Sequence, residues 1–455
     1  MLFQSQIFIL VFLPATLALY YLCADRLVIR QGVLVGASLV FYGWWDARFI
    51  PLLVGQITLT WLLAKAHERT GKRWLLIGGV VLNLLSIGTF KYLDFLIGSA
   101  ETMTGITLPR AHIVLPIGIS FFSFQLISYL VDRMRNDAPI YPYRPFALFV
   151  LLFPHLIAGP IVRHNELVPQ FAENPLRDGL WHRIGAGLIV FTVGLVKKLL
   201  LADPLAKVAD PLFAKATSHA ISFGEAGTAA LAFSFQLFLD FSAYTEMAIG
   251  TALLFGLILP ENFNRPYLAA NLRDFWQRWH ISLSRFIRDY LYIPLGGSRH
   301  GTPRYVVATL ASMGICGLWH GAGWTYVVWG LWHGVGLIVC RGWQQLGRPL
   351  PAVAGWVITM VFVIVGWVIF RAATFGEAHG MLIALTGGNG FHGALAKPQL
   401  LASAAAASVL IPSAHTIIHN LKPDPVMATV CAVLALFGCL EAGTGAAVNF
   451  IYFQF

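Results

Sequence analysis

Apolar runs long enough to cross a lipid bilayer recur along almost the whole chain, and they restrict its fold more than any other feature. One crossing takes about 20 residues of helix. Such runs lie near 5–23, 32–48, 49–66, 74–97, 112–131, 145–162, 184–202, 226–258, 305–340, 353–371, 400–419 and 426–445. In lipid each backbone N–H and C=O must be paired within the protein, so runs of this length read as helices. The 226–258 and 305–340 runs are too long for one simple span, and each reads as two shorter segments or a re-entrant pair. The expectation is an all-α polytopic membrane protein of about eleven to thirteen membrane segments, with no Gly/Ser linker to divide residues 1–455 into more than one membrane domain.

Charge supports this reading. Only 11% of the residues are charged and 57% are hydrophobic, whereas a soluble domain carries about 25% charged residues. The net charge of +10 is therefore read as basic cytoplasmic loops, and a nucleic-acid partner is not expected. Arg26 and Arg30 follow the first run; Lys65, Arg69, Lys72 and Arg73 follow the third; Arg133, Arg135 and Arg144 follow the fifth. All three groups fall on one side. The opening "MLFQSQIFILVFLP" has no positive charge ahead of its apolar run, so it reads as a first spanning helix and not as a cleavable signal. Cys23, Cys316, Cys340, Cys431 and Cys439 lie in or near apolar runs without a C-x-x-C pair. They read as small buried hydrophobes, with neither a disulfide framework nor a metal site.

Two polar constellations interrupt the apolar pattern. The stretch "NLRDFWQRWHISLSRFIRDYLYIPLGG", 271–297, repeats Phe275, Trp276, Trp279, Leu283, Phe286, Ile287, Tyr290 and Leu291 at helical spacing. Arg273, Arg278, Arg285 and Arg288 take the other side. This predicts one amphipathic helix lying in the membrane interface; a solvated cytoplasmic helix is the alternative. His280 falls at the edge of the aromatic face, where its ring would point inward. In "GICGLWHGAGWTYVVWGLWHG", 314–334, His320 lies inside an apolar run beside Gly321 and Gly323. An ionisable group at that depth is costly and marks a functional site by default; a buried, hydrogen-bonded histidine is the structural alternative. The glycines allow a helix break there. His333 has similar surroundings and is the competing candidate. Asp240 and Glu246, in "LDFSAYTEMAIG", read either as a polar lining or as buried structural groups.

The two histidine stretches together resemble the membrane-bound O-acyltransferase family, in its bacterial branch of alginate O-acetylases and teichoic acid D-alanine transfer proteins. "PIGISFFSFQLISYLVD" at 116–132, "AGPIVR" at 158–163 and the opening residues are similar to the same branch. The resemblance implies helices around a central funnel, with interfacial and re-entrant pieces. It implies His320 as the catalytic intramembrane histidine and His280 as a second histidine on the cytoplasmic side. Arg273, Trp276, Trp279 and Trp319 are then expected to meet the donor. The terminal "FIYFQF", 450–455, resembles a motif whose tyrosine, here Tyr452, receives the acyl group and presents it to an outer partner. A membrane-interface anchor is the reading without that resemblance.

The expected function is therefore transfer of an acyl group, acetyl first among them, from a cytoplasmic thioester across the bacterial inner membrane for O-acylation of an extracytoplasmic polysaccharide. Acetyl-CoA or another acyl thioester is the expected donor substrate, with no bound cofactor and no metal. A periplasmic SGNH-type, hydrolase-like acyltransferase is the expected partner, the polysaccharide the final acceptor, and membrane lipid the solvent. A sugar transporter or a non-catalytic membrane scaffold is the rival reading; a transporter would commonly show inverted repeats, and none is evident in the sequence.

Overall fold

The computed structural model of the chain describes residues 1–420, 424–443, 450 and 451. Its regular elements are all helical among the described residues. They form two compact units. One comprises Met1–Thr192 and Thr245–Pro260 with 424–443; the other comprises Val193–Tyr244 and Glu261–Asn420 with 450 and 451.

The first unit contains α1 (Leu27–Asp46), α2 (Ile50–Thr70), α3 (Trp74–Ile87), α4 (Ile119–Arg135) and most of α5 (Leu180–Lys197). Asp46 ends α1. Its extended backbone leaves the carboxylate free to accept from the Arg48 N–H at 3.0 Å. Gly71, at φ 69°, ends α2; this left-handed position favours a residue without a Cβ. α3 lies against α4 at Gly79, where a Cβ would come 2.8 Å from Leu130 Cδ1. Asn83 Nδ2 donates to Thr60 Oγ1 across α3 and α2 at 3.2 Å. Arg30, counted among the loop charges in the sequence, is buried. Its guanidinium donates to the carbonyls of Ala24, Phe171 and Glu173, so it clamps loops within this unit and does not face solvent.

Among the described residues, six helical stretches are long and apolar enough to cross a bilayer, or seven if the bent pair Pro398–Leu410 and Ala414–Asn420 is one span. This is fewer than the apolar runs suggested, because several runs are not long lipid-facing helices. The 112–131 run contributes the 17-residue α4, buried at every position from Ile119 to Leu130. The 145–162 run is divided between the short helices Tyr143–Leu151 and Phe153–Leu156. In contrast, Leu22, Trp74 and Val353 expose 82%, 63% and 73% of their surface, an inverted pattern that suits a lipid solvent.

The second unit contains α6 (Asp203–Ala216), the first part of α7 (Phe223–Leu254), α8 (Leu272–Arg278), α9 (Ile281–Ile287), α10 (Gly301–His320), α11 (Trp324–Gln345) and α12 (Ala352–Arg371). α7 is one unbroken 32-residue helix, where the sequence had suggested two segments or a re-entrant pair. The 305–340 run does divide in two, between α10 and α11, at Gly321–Gly323. The helices on either side of this break cross backbone to backbone. A Cβ on Gly317 would lie 2.1 Å from the Tyr326 carbonyl oxygen, and one on Gly330 would lie 2.1 Å from that of Met313. Small residues allow such an approach, which is a recurrent source of helix association in lipid.

Substitution should therefore separate two glycines of one helix. Gly330→Ala forces α10 and α11 apart and should destabilise by about 1–3 kcal/mol. Gly342→Ala meets nothing within 4 Å and should be neutral or stabilising by up to about 1 kcal/mol. Thermal unfolding of the detergent-solubilised protein measures both.

Candidate active site

The 271–297 stretch is not the single helix its spacing predicted. It breaks at Trp279–His280, where His280 takes the left-handed conformation φ 43°, ψ 53°. That conformation costs a residue with a Cβ roughly 1–2 kcal/mol. Contacts from a distant segment hold it. Ile281 N–H donates to the Asn262 carbonyl at 2.9 Å, and Asn264 N–H donates to that of Arg278 at 3.0 Å. Asn271 caps the start of α8 by accepting from the Asp274 N–H at 2.9 Å. The break turns the His280 ring fully inward.

The same contacts assign the proton on His280. Asn262 Oδ1 lies 3.2 Å from the backbone nitrogen of Ser282, which can only donate, so the Asn262 atom is the amide oxygen. This oxygen also stands 3.1 Å from His280 Nδ1. Nδ1 must therefore carry the hydrogen, leaving a lone pair on Nε2. That atom is buried and has no hydrogen-bond partner among the described residues. His280 lies outside the spanning stretches, and burial pushes its pKa down to about 3. The ring is thus neutral at physiological pH, as a proton acceptor requires.

His320 is the last residue of α10 and is buried. Its ring packs edge-to-face against Trp319, Trp329 and Phe370 at centroid distances of 4.9, 5.1 and 5.4 Å. A Cβ at Gly321 would lie 2.1 Å from Tyr326 Cε2, so the chain can leave the helix here only because that position has no side chain. His280 and His320 face one another with centroids 6.3 Å apart.

A cavity of about 870 Å³ lies in the same unit. Its walls include Thr309, Ser312 and Cys316 of α10; one further turn of that helix reaches His320. Arg273, Arg285, Arg288 and Arg341 give the cavity a basic lining, and Trp276 is part of the wall. Of the four residues expected to meet the donor, Arg273 and Trp276 line this space. Trp319 packs beside both histidines, 4.9 Å from the His320 ring and 6.0 Å from the His280 ring. Trp279 stacks on Phe275 at 5.6 Å, behind the wall. His333 Nδ1 accepts from Trp276 Nε1 at 3.3 Å. Its hydrogen must then sit on Nε2, the opposite arrangement to His280, and it braces a wall residue.

Asp240 is buried, but it belongs to an ion cluster. Lys198 Nζ sits 2.9 Å from Asp240 and 2.7 Å from Asp203. Sequence reasoning did not single out Lys198 or Asn262. Two lysines in "GLVKKLLLA" at membrane depth were a usable signal for the first; nothing local marked the second. Phe450 and Ile451 are buried in this unit. Tyr452 lies outside the described residues.

The sequence profile of the membrane-bound O-acyltransferase family matches residues 135–376. The chain belongs to this family. It is 40% identical to a peptidoglycan O-acetyltransferase of Helicobacter pylori over 86% of this chain and 80% of that protein. It is 42% identical to a probable alginate O-acetylase of Pseudomonas aeruginosa over 85% and 75%. A teichoic acid D-alanyltransferase of Streptococcus thermophilus is 28% identical over 50% and 57%. As a member of the family the chain is an O-acyltransferase and a multi-pass inner-membrane protein, on the branch its motifs indicated.

Asn262 provides a direct check on the site. Asn262→Ala removes the acceptor shared by His280 Nδ1–H and Ser282, and stranding buried donors costs about 1–3 kcal/mol. The variant should unfold at a lower temperature. Its acyl-transfer rate, measured well below that temperature, should fall as well, because nothing then fixes the proton on Nδ1.

Proposed function

We propose that this O-acyltransferase moves an acetyl group from a cytoplasmic thioester to an acceptor hydroxyl on the outer side of the inner membrane, as one step in acetylating a polysaccharide. The pair of buried imidazoles at 6.3 Å, one helical turn beyond a basic cavity, is the observation that carries this reading. The O-acetyltransferase names of the relatives support acetyl as the group, and those names, peptidoglycan and alginate, support a polysaccharide as the final acceptor.

The chemistry follows from the residue types. An acyl-CoA carries phosphates on one end and the thioester on the other. Arginines bind phosphate through paired N–H donors, so Arg273, Arg285 and Arg288 would hold the donor's phosphates. The thioester would extend along α10 toward His320. His320 takes the proton from the attacking hydroxyl, the new C–O bond forms, the C–S bond breaks, and the departing thiolate receives the proton. His280, with its lone pair on Nε2, orients the reacting groups. Tyr452 would be the first hydroxyl to accept the acyl group. A separate periplasmic SGNH-type acyltransferase would then pass it to the polysaccharide.

Four experiments test this. His320→Ala should lower acyl transfer by about 10²–10⁴-fold while the protein inserts at normal levels; near-normal transfer would favour a scaffold or transporter. His280→Asn should lower transfer less and should raise the donor concentration needed for half-maximal rate. Tyr452→Phe should stop transfer to the outer partner, and mass spectrometry of the wild type in turnover should find an acylated terminal peptide. A cysteine at Arg285 should react with an impermeant thiol reagent from the cytoplasmic side.

A further inference from the structure

The terminal stretch meets the ion cluster at one defined bond. Ile451 N–H donates to Asp240 Oδ2 at 3.0 Å. The other oxygen of the same carboxylate faces Lys198 at 2.9 Å. Phe450 stacks on Tyr244 at 4.4 Å with the rings 20° from parallel, and packs against Phe241 at 6.0 Å. Asp240, Phe241 and Tyr244 are the i, i+1 and i+4 positions of one face of α7, so one helix supplies both the polar and the aromatic half of this contact. Phe241 also packs edge-to-face on His280 at 4.7 Å. A single phenyl ring therefore separates the seated Phe450 from the imidazole of His280.

We propose that Asp240, held by Lys198, is a dock for the chain's own terminal segment: it grips the Ile451 N–H and so fixes the segment's register for acyl transfer. The proposal rests on the reading of Tyr452 as acyl acceptor for its purpose, though not for its geometry. Lys198 also holds Asp203, in the first turn of α6, at 2.7 Å, and Asp240 keeps its other oxygen for the Ile451 N–H. Lys198 fixes the orientation of the Asp240 carboxylate, and an ionised acceptor gives a stronger bond to the N–H than a neutral one. Asp240 is thus a positioning residue, acting through the segment it holds.

Hydrogen exchange on the full-length protein in detergent tests the dock without reference to catalysis. Asp240→Ala leaves the Lys198–Asp203 pair intact. In this variant the terminal peptide should exchange at least tenfold faster, while peptides from α7 and α10 keep their protection. Acyl transfer should fall about 10–100-fold, as loss of positioning commonly costs. Asp240→Asn retains an acceptor oxygen and should restore part of both. Ile451→Pro removes the N–H and leaves the ion cluster whole, so it should match Asp240→Ala even if that variant folds poorly. Unchanged exchange of the terminal peptide in Ile451→Pro, or equal losses in the Asn and Ala variants, would overturn the dock. Normal transfer by Tyr452→Phe would instead remove the carrier role and leave the exchange result standing.

Discussion

The crossing of α10 and α11 at Gly317 and Gly330 sets the dimensions of the candidate site. With two backbones in contact, the side chains that flank the crossing have no freedom to drift. Trp329 lies between the two helices' histidines, 5.1 Å from the His320 ring and 5.0 Å from the His333 ring. One face of α10 becomes a cavity wall, and its final residue is His320. A wider crossing would move the wall and the imidazole together. The glycine-permitted turn at 321–323 then lets α11 fold back at once, so His320 and one wall of the cavity come from one tight helical hairpin.

Within that frame, the roles of two chemically identical side chains diverge. His280 and His333 are both completely buried. What faces Nδ1 decides the difference. An amide oxygen puts the hydrogen on Nδ1 of His280 and a lone pair on its far nitrogen; an indole N–H does the reverse at His333. The first leaves a proton acceptor in the neighbourhood of His320. The second leaves a bracing residue for Trp276. A motif search cannot tell these apart, because the deciding atoms come from Asn262 and Trp276, 18 and 57 residues away.

The legible part of the sequence was its solvent. Apolar runs and low charge specify a polytopic helical protein, and an ionisable residue among tryptophans and glycines draws attention to His320. The break between α10 and α11 was also visible, since Gly321 and Gly323 announced it. The break at His280 was not. Helical spacing of Phe275, Trp276, Trp279 and Leu283 runs straight through it, and only the tertiary grip of residues 262–264 forces the chain into a left-handed turn. Arg30 misled for a related reason. Its charge sits where a loop charge should, yet three carbonyls of the first unit draw it inside. Span counting failed where a run was apolar because it forms protein core, as in α4, and apolar sequence alone does not distinguish lipid from core.

The left-handed backbone at residue 280 has a consequence for the variation this position can bear. Two selections act there at once, and they favour different residues. The fold prefers glycine, asparagine or aspartate, which enter that conformation at least cost. The proposed chemistry prefers an imidazole. β-branched residues satisfy neither. A saturation library at this codon would therefore be ranked first by backbone compatibility and only then by reactivity. Alanine, the customary probe, would confound the two effects, whereas asparagine keeps the turn and removes the ring.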